Sequence, residues 1–271
     1  MTAYIIRRLL ATIPVMVVVA IFVFLLLHLT PGDPAAVIAG DDATPEAVDG
    51  IRTKLGLDQP IHVQFGIYAA NLLRGDLGTS IFSNLPVLTL VKQRLEPTLV
   101  LAASTLVMAV LLAIPMGVLA AWKARTFIDR LVMGFSVLGF AVPGFLVGYL
   151  LIYVFAIELK WLPVQGYRPL SQGIDQTARS IILPALALSM AYMALIARMT
   201  RASMLDVLSQ DYIRTAKAKG VATLIVLLRH ALKNAAVPIV TVIGIGLTLL
   251  ISGVVITETV FNIPGLGRLT V

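Results

Sequence analysis

Five apolar runs divide the chain, at residues 9–29, 98–121, 131–157, 181–199 and 235–257. A hydrocarbon core of roughly 30 Å needs about 20 helical residues to cross it, and every run is of that order. Lipid offers backbone groups no hydrogen-bond partner, so the pattern predicts an all-α polytopic bundle with five visible spans. Prolines at 115, 143, 184 and 238 fall inside or at the ends of these runs. A bundle accommodates them, because neighbouring helices and water-lined cavities satisfy the freed carbonyls.

Between the first two runs the pattern becomes mixed, and three regions follow: an anchor helix over 1–30, an extracytoplasmic region over 31–96, and a membrane core over 97–271. In the middle region Thr44 precedes Pro45, an N-cap followed by proline at the first helical position, which opens a short helix ending near Gly56. Residues 61–73 place Ile61, Phe65, Tyr68 and Leu72 at helical spacing. Both helices are expected to pack on the membrane bundle. Arg74-Gly75-Asp76-Leu77-Gly78-Thr79-Ser80 reads as a tight turn. RGD also occurs in adhesion ligands, but here it continues into the apolar segment IFSNLPV.

Arg7 and Arg8 before the first run also fit a secretory signal peptide. The apolar stretch is too long for a signal core, and no small-x-small cleavage site follows before Thr30-Pro31-Gly32-Asp33-Pro34. A retained anchor is the expectation.

Composition narrows the class. With 59% hydrophobic and 13% charged residues and a mean hydropathy of +0.95, the chain cannot bury its apolar side chains in one water-facing globule. Charge sets the orientation, since loops facing the cytoplasm collect Lys and Arg. With the N-terminus inside, the inner segments net +9 and the outer ones −2. The inner bases cluster at 123–130 and 198–233, while Asp33, Asp41, Asp42, Glu46 and Asp49 lie outside. The pI near 9.9 is thus a topology signal. Nucleic-acid binding would need a soluble basic module with stacking aromatics, and the pattern has none. Without cysteine, disulfides, thiolate metal sites and cysteine nucleophiles are excluded.

The basic stretch 201–238 carries the candidate chemistry. Asp211 can cap a helix over 212–219, with bases at 214, 217 and 219, and Gly220 can end it through a left-handed turn. Ala216 and Ala218 permit another surface to approach closely. Inside the runs Ser136, Ser189, Tyr192 and Thr248 are uncharged polar groups, candidates either to line a path or to hydrogen-bond between helices. No Asp, Glu, Lys or Arg lies deep in a run. Trp161 and Tyr167 suit an interfacial belt, and His28 and His230 lack a partner at metal-ligand spacing.

The order Arg214-Thr215-Ala216, then Gly220, Arg229-His230-Ala231-Leu232 and Pro238, resembles the EAA loop of ABC-importer permeases in the dipeptide and oligopeptide branch, which also handles nickel and glutathione. The opening YIIRRLLATIPVMVVVAIFVFLLLHLTPGDP, the GDLGTSI turn with Pro86-Val87, RLEPTL before the second run and ETVFNIPGLGRL at 258–269 are similar to that branch too, so the likeness covers essentially the whole chain. It implies a type I importer permease in the cell membrane, non-catalytic, pairing with a second homologous permease, two ATPase subunits that hold ATP and magnesium, and an extracytoplasmic substrate-binding protein. Peptide is the implied substrate. Carried over by position, Asp211, Tyr212, Arg214, Thr215, Ala216, Ala218 and Gly220 make or shape the contact with the ATPase. Arg214 stands where the family has Glu, so an acidic contact is not carried over. The resemblance also implies a sixth membrane helix, and this sequence stops before one.

Two other classes stay open at this stage: an ion-coupled carrier or channel with a basic inner loop, and a structural membrane subunit without a path. Ion coupling usually needs ionisable groups near mid-membrane, which the runs do not offer. The chain lacks G-x-x-x-x-G-K-[ST] and HExxH, so neither nucleotide binding by that loop nor metalloprotease chemistry is expected.

Overall fold

The structure, a computed structural model, describes residues 2–29, 32–40, 43–80 and 83–270, with only the backbone of Leu27, Val37, Leu249 and Ser252. Thr30, Pro31, Asp41, Asp42, Ile81, Phe82 and Val271 lie outside the described residues. The chain forms two compact units, Met1–Val91 and Lys92–Val271. Among the described residues the architecture is all-α, with no strand beyond one isolated bridge between Thr79 and Pro86.

In the first unit α1 (Thr2–Leu29) is apolar all round and exposes most of its length, the surface of a helix made for lipid. Its buried residue Phe24 packs on Phe65 and Tyr68 of α4 (Ile61–Leu73), with ring centroids 5.3 and 5.6 Å away. His28 joins this contact, facing the carbonyl of Phe24 and the Gln64 side chain, each at 2.9 Å. It is a packing residue, as an interfacial histidine should be.

Helix α2 (Pro34–Ala39) begins at Asp33, whose carboxylate accepts from the Ala35 N–H. That bond, with Arg52 beside it, holds the Asp33 carboxyl below the usual carboxylate range. Arg52 belongs to α3 (Pro45–Lys54), so the acidic cap ties α3 to α2. The expected Thr44 cap forms, accepting from the Ala47 N–H, and Gly56 turns left-handed at φ +69° after the helix ends. Neither α3 nor α4 buries a residue. The neighbours of these helices within the unit are α2 and α1.

The second unit is built round α8 (Ile174–Leu208). Buried residues make up 72% of its most apolar stretch, against 22% for α5 (Val87–Trp122), which makes α8 the central helix. Helices α6 (Phe127–Ala141), α7 (Gly144–Leu151) and α11 (Lys233–Val260) pack against it. Runs two, four and five of the sequence become α5, α8 and α11, each longer than its apolar core because the helix continues past the bilayer-length stretch into polar turns.

The third run does not form one continuous helix. α6 and α7 meet at Val142-Pro143 with a bend of 106°, and α7 continues as a π-helical turn over Ile152–Glu158. Proline removes a donor and pushes the preceding residue out of the α region. Val142 accordingly adopts φ −90° and ψ 124°. Among the described residues four helices are long and apolar enough to cross a membrane, and the bent pair makes a fifth if it counts as one span.

Candidate functional site

At one end of the second unit, α8 stops at Leu208 and a two-residue turn leads into α9 (Asp211–Ala218). Gln210, extended at φ −73° and ψ 148°, occupies the cap position, so Asp211 is the first helical residue and not the cap. Its carboxylate still suits the positive end of the helix. It meets Arg214 at 3.2 Å, while its carbonyl accepts from the Thr215 hydroxyl at 3.0 Å. Both charges of that pair are exposed, so it adds little stability.

α9 is amphipathic with a sharply divided surface. Ile213 is fully buried and Ala216 half-buried, packed into the unit's own core. Tyr212, Arg214, Thr215, Ala218 and Lys219 face outward. Ala216 therefore seats the helix, and Ala218 is the small residue left on the free face. Beside it, Lys217 lines a cleft with Ala121 and Trp122 of α5 and Leu205 and Leu208 of α8.

The end of α9 is a Schellman motif. The Gly220 N–H donates to the Lys217 carbonyl at 3.0 Å and the Val221 N–H to Ala216 at 3.2 Å. Gly220 sits at φ +79° in open space, so a side chain there meets backbone strain and no steric neighbour. After it, α10 (Thr223–Ile225) and a π-helical stretch, Val226–Leu232, lead into α11.

Asp129 and Arg201 close the same end. Arg201 donates to both carboxylate oxygens of Asp129, at 2.5 and 2.7 Å, and the Arg125 N–H adds a third bond at 2.8 Å. Charge counting alone treats both as loop charges. The signal in the sequence is a lone acid inside the short basic connection after the second run.

The opposite end gathers the motifs that flank the spans. Glu258, fully buried, lies in α11 one residue beyond the apolar run and near the end of the helix. It accepts from the Thr98 hydroxyl at 2.5 Å and from the Arg268 N–H at 3.0 Å, while Thr98 accepts from the Leu266 N–H at 2.8 Å. RLEPTL and ETVFNIPGLGRL, 160 positions apart at Thr98 and Glu258, are one clamp. A β-carbon on Gly265 would lie 1.9 Å from the Glu258 carboxylate, so that carboxylate excludes any larger residue there.

Glu96 extends the clamp by accepting from the Tyr167 hydroxyl and the Leu170 N–H, both at 2.9 Å. Burial first, and then the Glu96 carboxylate, push the Tyr167 phenol above its ordinary value. Tyr167 is thus a tie between segments. Trp161 is exposed against Phe155 and has the surface of a belt residue.

Of the candidates for lining a path, Ser136 and Ser189 are buried and bond to their own helices, donating to Val132 and Leu186, each at 2.9 Å. Thr248 is exposed on α11. Tyr192 is set apart: buried at mid-α8, it lines a cavity of about 400 Å³ between the α6–α7 break and α11. The four residues do not converge. Among the described residues no cluster of His, Asp or Glu could hold a metal.

Comparison with known proteins gives two family models. "Binding-protein-dependent transport system inner membrane component" matches residues 113–271, and the N-terminal component of the same transport systems matches 1–102. The probable peptide ABC transporter permease protein y4tP of Sinorhizobium fredii is 55% identical over the whole chain and 87% of its own length. The glutathione transport system permease protein GsiC is 45% identical in Escherichia coli and 44% in Salmonella typhimurium, again over the whole chain and 86% of each relative.

Proposed function

The chain belongs to the family of binding-protein-dependent transport system inner membrane components, and from that membership we propose that it forms half of the pathway of an ATP-driven importer for short peptides, glutathione among them. It is a multi-pass membrane protein and a permease subunit of an ABC transporter, a transport component with no catalytic role. The peptide substrate rests on the two kinds of relative, one a probable peptide permease and the other a glutathione permease.

In this reading α9 is the coupling helix. One observation carries it: Ile213 and Ala216 root α9 in the bundle, and the helix presents Tyr212, Arg214, Thr215, Ala218 and Lys219 outward between the ends of α8 and α11. A body pushing on that face moves both helices, because the Schellman turn holds one end and the short turn at Gln210 the other. Two ATPase subunits, which bind ATP and magnesium, supply the push. A second homologous permease completes the pathway and an extracytoplasmic binding protein delivers substrate.

We read α9 and the N-terminus as cytoplasmic from the charge pattern. What supports this for the second unit is that the segments it assigns to one side meet at Asp129–Arg201 and those it assigns to the other meet at Glu258 and Glu96. The ion-coupled alternative gains nothing from the two buried acids. Both sit at helix ends and both are held by partners, whereas a coupling site needs exchangeable ligands near mid-membrane.

The test is reconstitution of the purified complex in vesicles. Uptake of tripeptides or glutathione that requires ATP and the binding protein is expected. Uptake driven by an ion gradient without ATP would reject the proposal.

A further inference from the structure

The break between α6 and α7 leaves backbone donors inside the apolar unit. Leu146 and Val147 donate back to the Pro143 carbonyl, at 3.0 and 3.3 Å, and the Val142 N–H reaches Leu138 at 3.0 Å. The N–H groups of Gly144 and Phe145, the first of α7, have no carbonyl partner among the described residues. Non-helical backbone at membrane depth persists only where protein or a watery cavity receives it. Here a cavity does, lined by Pro143, Gly144, Phe145, Tyr192 and Gly253.

Tyr192 supplies the second, independent observation. It is 9% exposed, it lines the same cavity, and its hydroxyl takes part in no hydrogen bond among the described residues. The ring is buried while the hydroxyl is left free to meet what enters the cavity. Gly144 and Phe145, with two free amide donors at a helix N-terminus, and Tyr192, with one phenolic donor, line one space with no charged side chain in its lining. Donors on a positive helix end favour an anion, and the absence of Lys or Arg keeps the grip weak enough for release.

We infer that this break is a substrate contact for the terminal carboxylate of a peptide in transit, with Tyr192 and the Gly144 and Phe145 N–H groups as its donors. Tyr192 lies near the middle of a 35-residue helix, so the contact falls in the interior of the span. The inference rests on the peptide reading above and adds which end of the peptide this subunit holds.

Two substitutions separate chemistry from packing. Tyr192→Phe removes the hydroxyl alone. Gly144→Pro removes one N–H at a first-turn position where proline is helix-compatible, and the extended Pro143, at φ −59° and ψ 136°, suits a following proline. Gly144→Ala keeps the donor, and a β-carbon there meets open space.

ATP-driven uptake by the reconstituted complex is measured for a tripeptide and for its C-terminal amide, and each variant's ratio is compared with that of the unsubstituted complex. The binding protein's own preference cancels in that comparison. Tyr192→Phe and Gly144→Pro are expected to slow the free-acid peptide about tenfold, as loss of one donor to a charged acceptor should, and the amide less than about twofold. Gly144→Ala, which keeps the donor, should leave the free-acid to amide ratio at the unsubstituted value. Equal slowing of both peptides, or no change in either, overturns the carboxylate contact while leaving the importer intact. An unsubstituted complex that moves neither peptide overturns both the contact and the peptide reading.

Discussion

Arg201 sets its guanidinium against both carboxylate oxygens of Asp129, joining the start of α6 to α8 only seven residues before α8 ends. The pair fixes the end of the central helix from which α9 is hung. Asp129→Ala leaves the guanidinium half-buried and unpaired, and should lower stability by about 3 kcal/mol. Thermal unfolding in detergent checks this. Arg201→Met added to Asp129→Ala should recover much of the loss, because the uncompensated charge goes.

Glu258 and Gly265 exclude each other's alternatives. Gly265→Ala drives a methyl into the Glu258 carboxylate, which must give up its bonds to Thr98 and Arg268, and should cost about 2 kcal/mol as an overpacking substitution. Glu258→Ala breaks the clamp on Thr98 and Arg268 but opens that space. The double substitution should therefore destabilise by clearly less than the sum of the singles. Strict additivity in unfolding experiments would show that the clamp relaxes around the methyl.

Gly220 tests the lever geometry without steric conflict. Gly220→Ala should cost about 1 kcal/mol for its left-handed backbone, and Gly220→Val more, since a branched side chain tolerates positive φ poorly. If α9 transmits motion, both variants raise the ATP hydrolysed per peptide imported, Val more than Ala. Coupling that stays at the unsubstituted level in Gly220→Val would remove the coupling role.

Tyr167 predicts a pH limit on its tie to Glu96. Its phenol is raised above the 10.0 of an unperturbed tyrosine, so the protonated form that donates to Glu96 is favoured by folding. The stabilisation is fully present below the unfolded value and is lost as pH rises through the folded one. Phenolate absorbance from Tyr167 should appear only above the pH at which a free tyrosine ionises, and Glu96→Gln should bring it part of the way back.

Much of this architecture can be read from residue order, and the exceptions share a physical cause. Local chemistry sets the Thr44 cap, the limits of α4 and the stop at Gly220, and all three occur as expected. Pro143 breaks its span while Pro115, Pro184 and Pro238 lie inside helices. Nothing local separates them, because accommodation depends on neighbours. Asp129–Arg201 and Thr98–Glu258 pair across 72 and 160 positions, a distance that no periodicity spans. Asp211 moved from cap to first helical residue because Gln210 took the extended conformation.

The coupling role of α9 has one direct test, which the cysteine-free chain makes clean. Ala218→Cys places a single thiol on the outward face of α9, to be joined by a short bifunctional reagent to neighbours in the membrane-embedded complex. Crosslinking to an ATPase subunit, with a yield that changes when ATP is bound, is the result expected. A thiol that reacts from the extracytoplasmic side, or joins no ATPase subunit in an intact and active complex, would contradict the account.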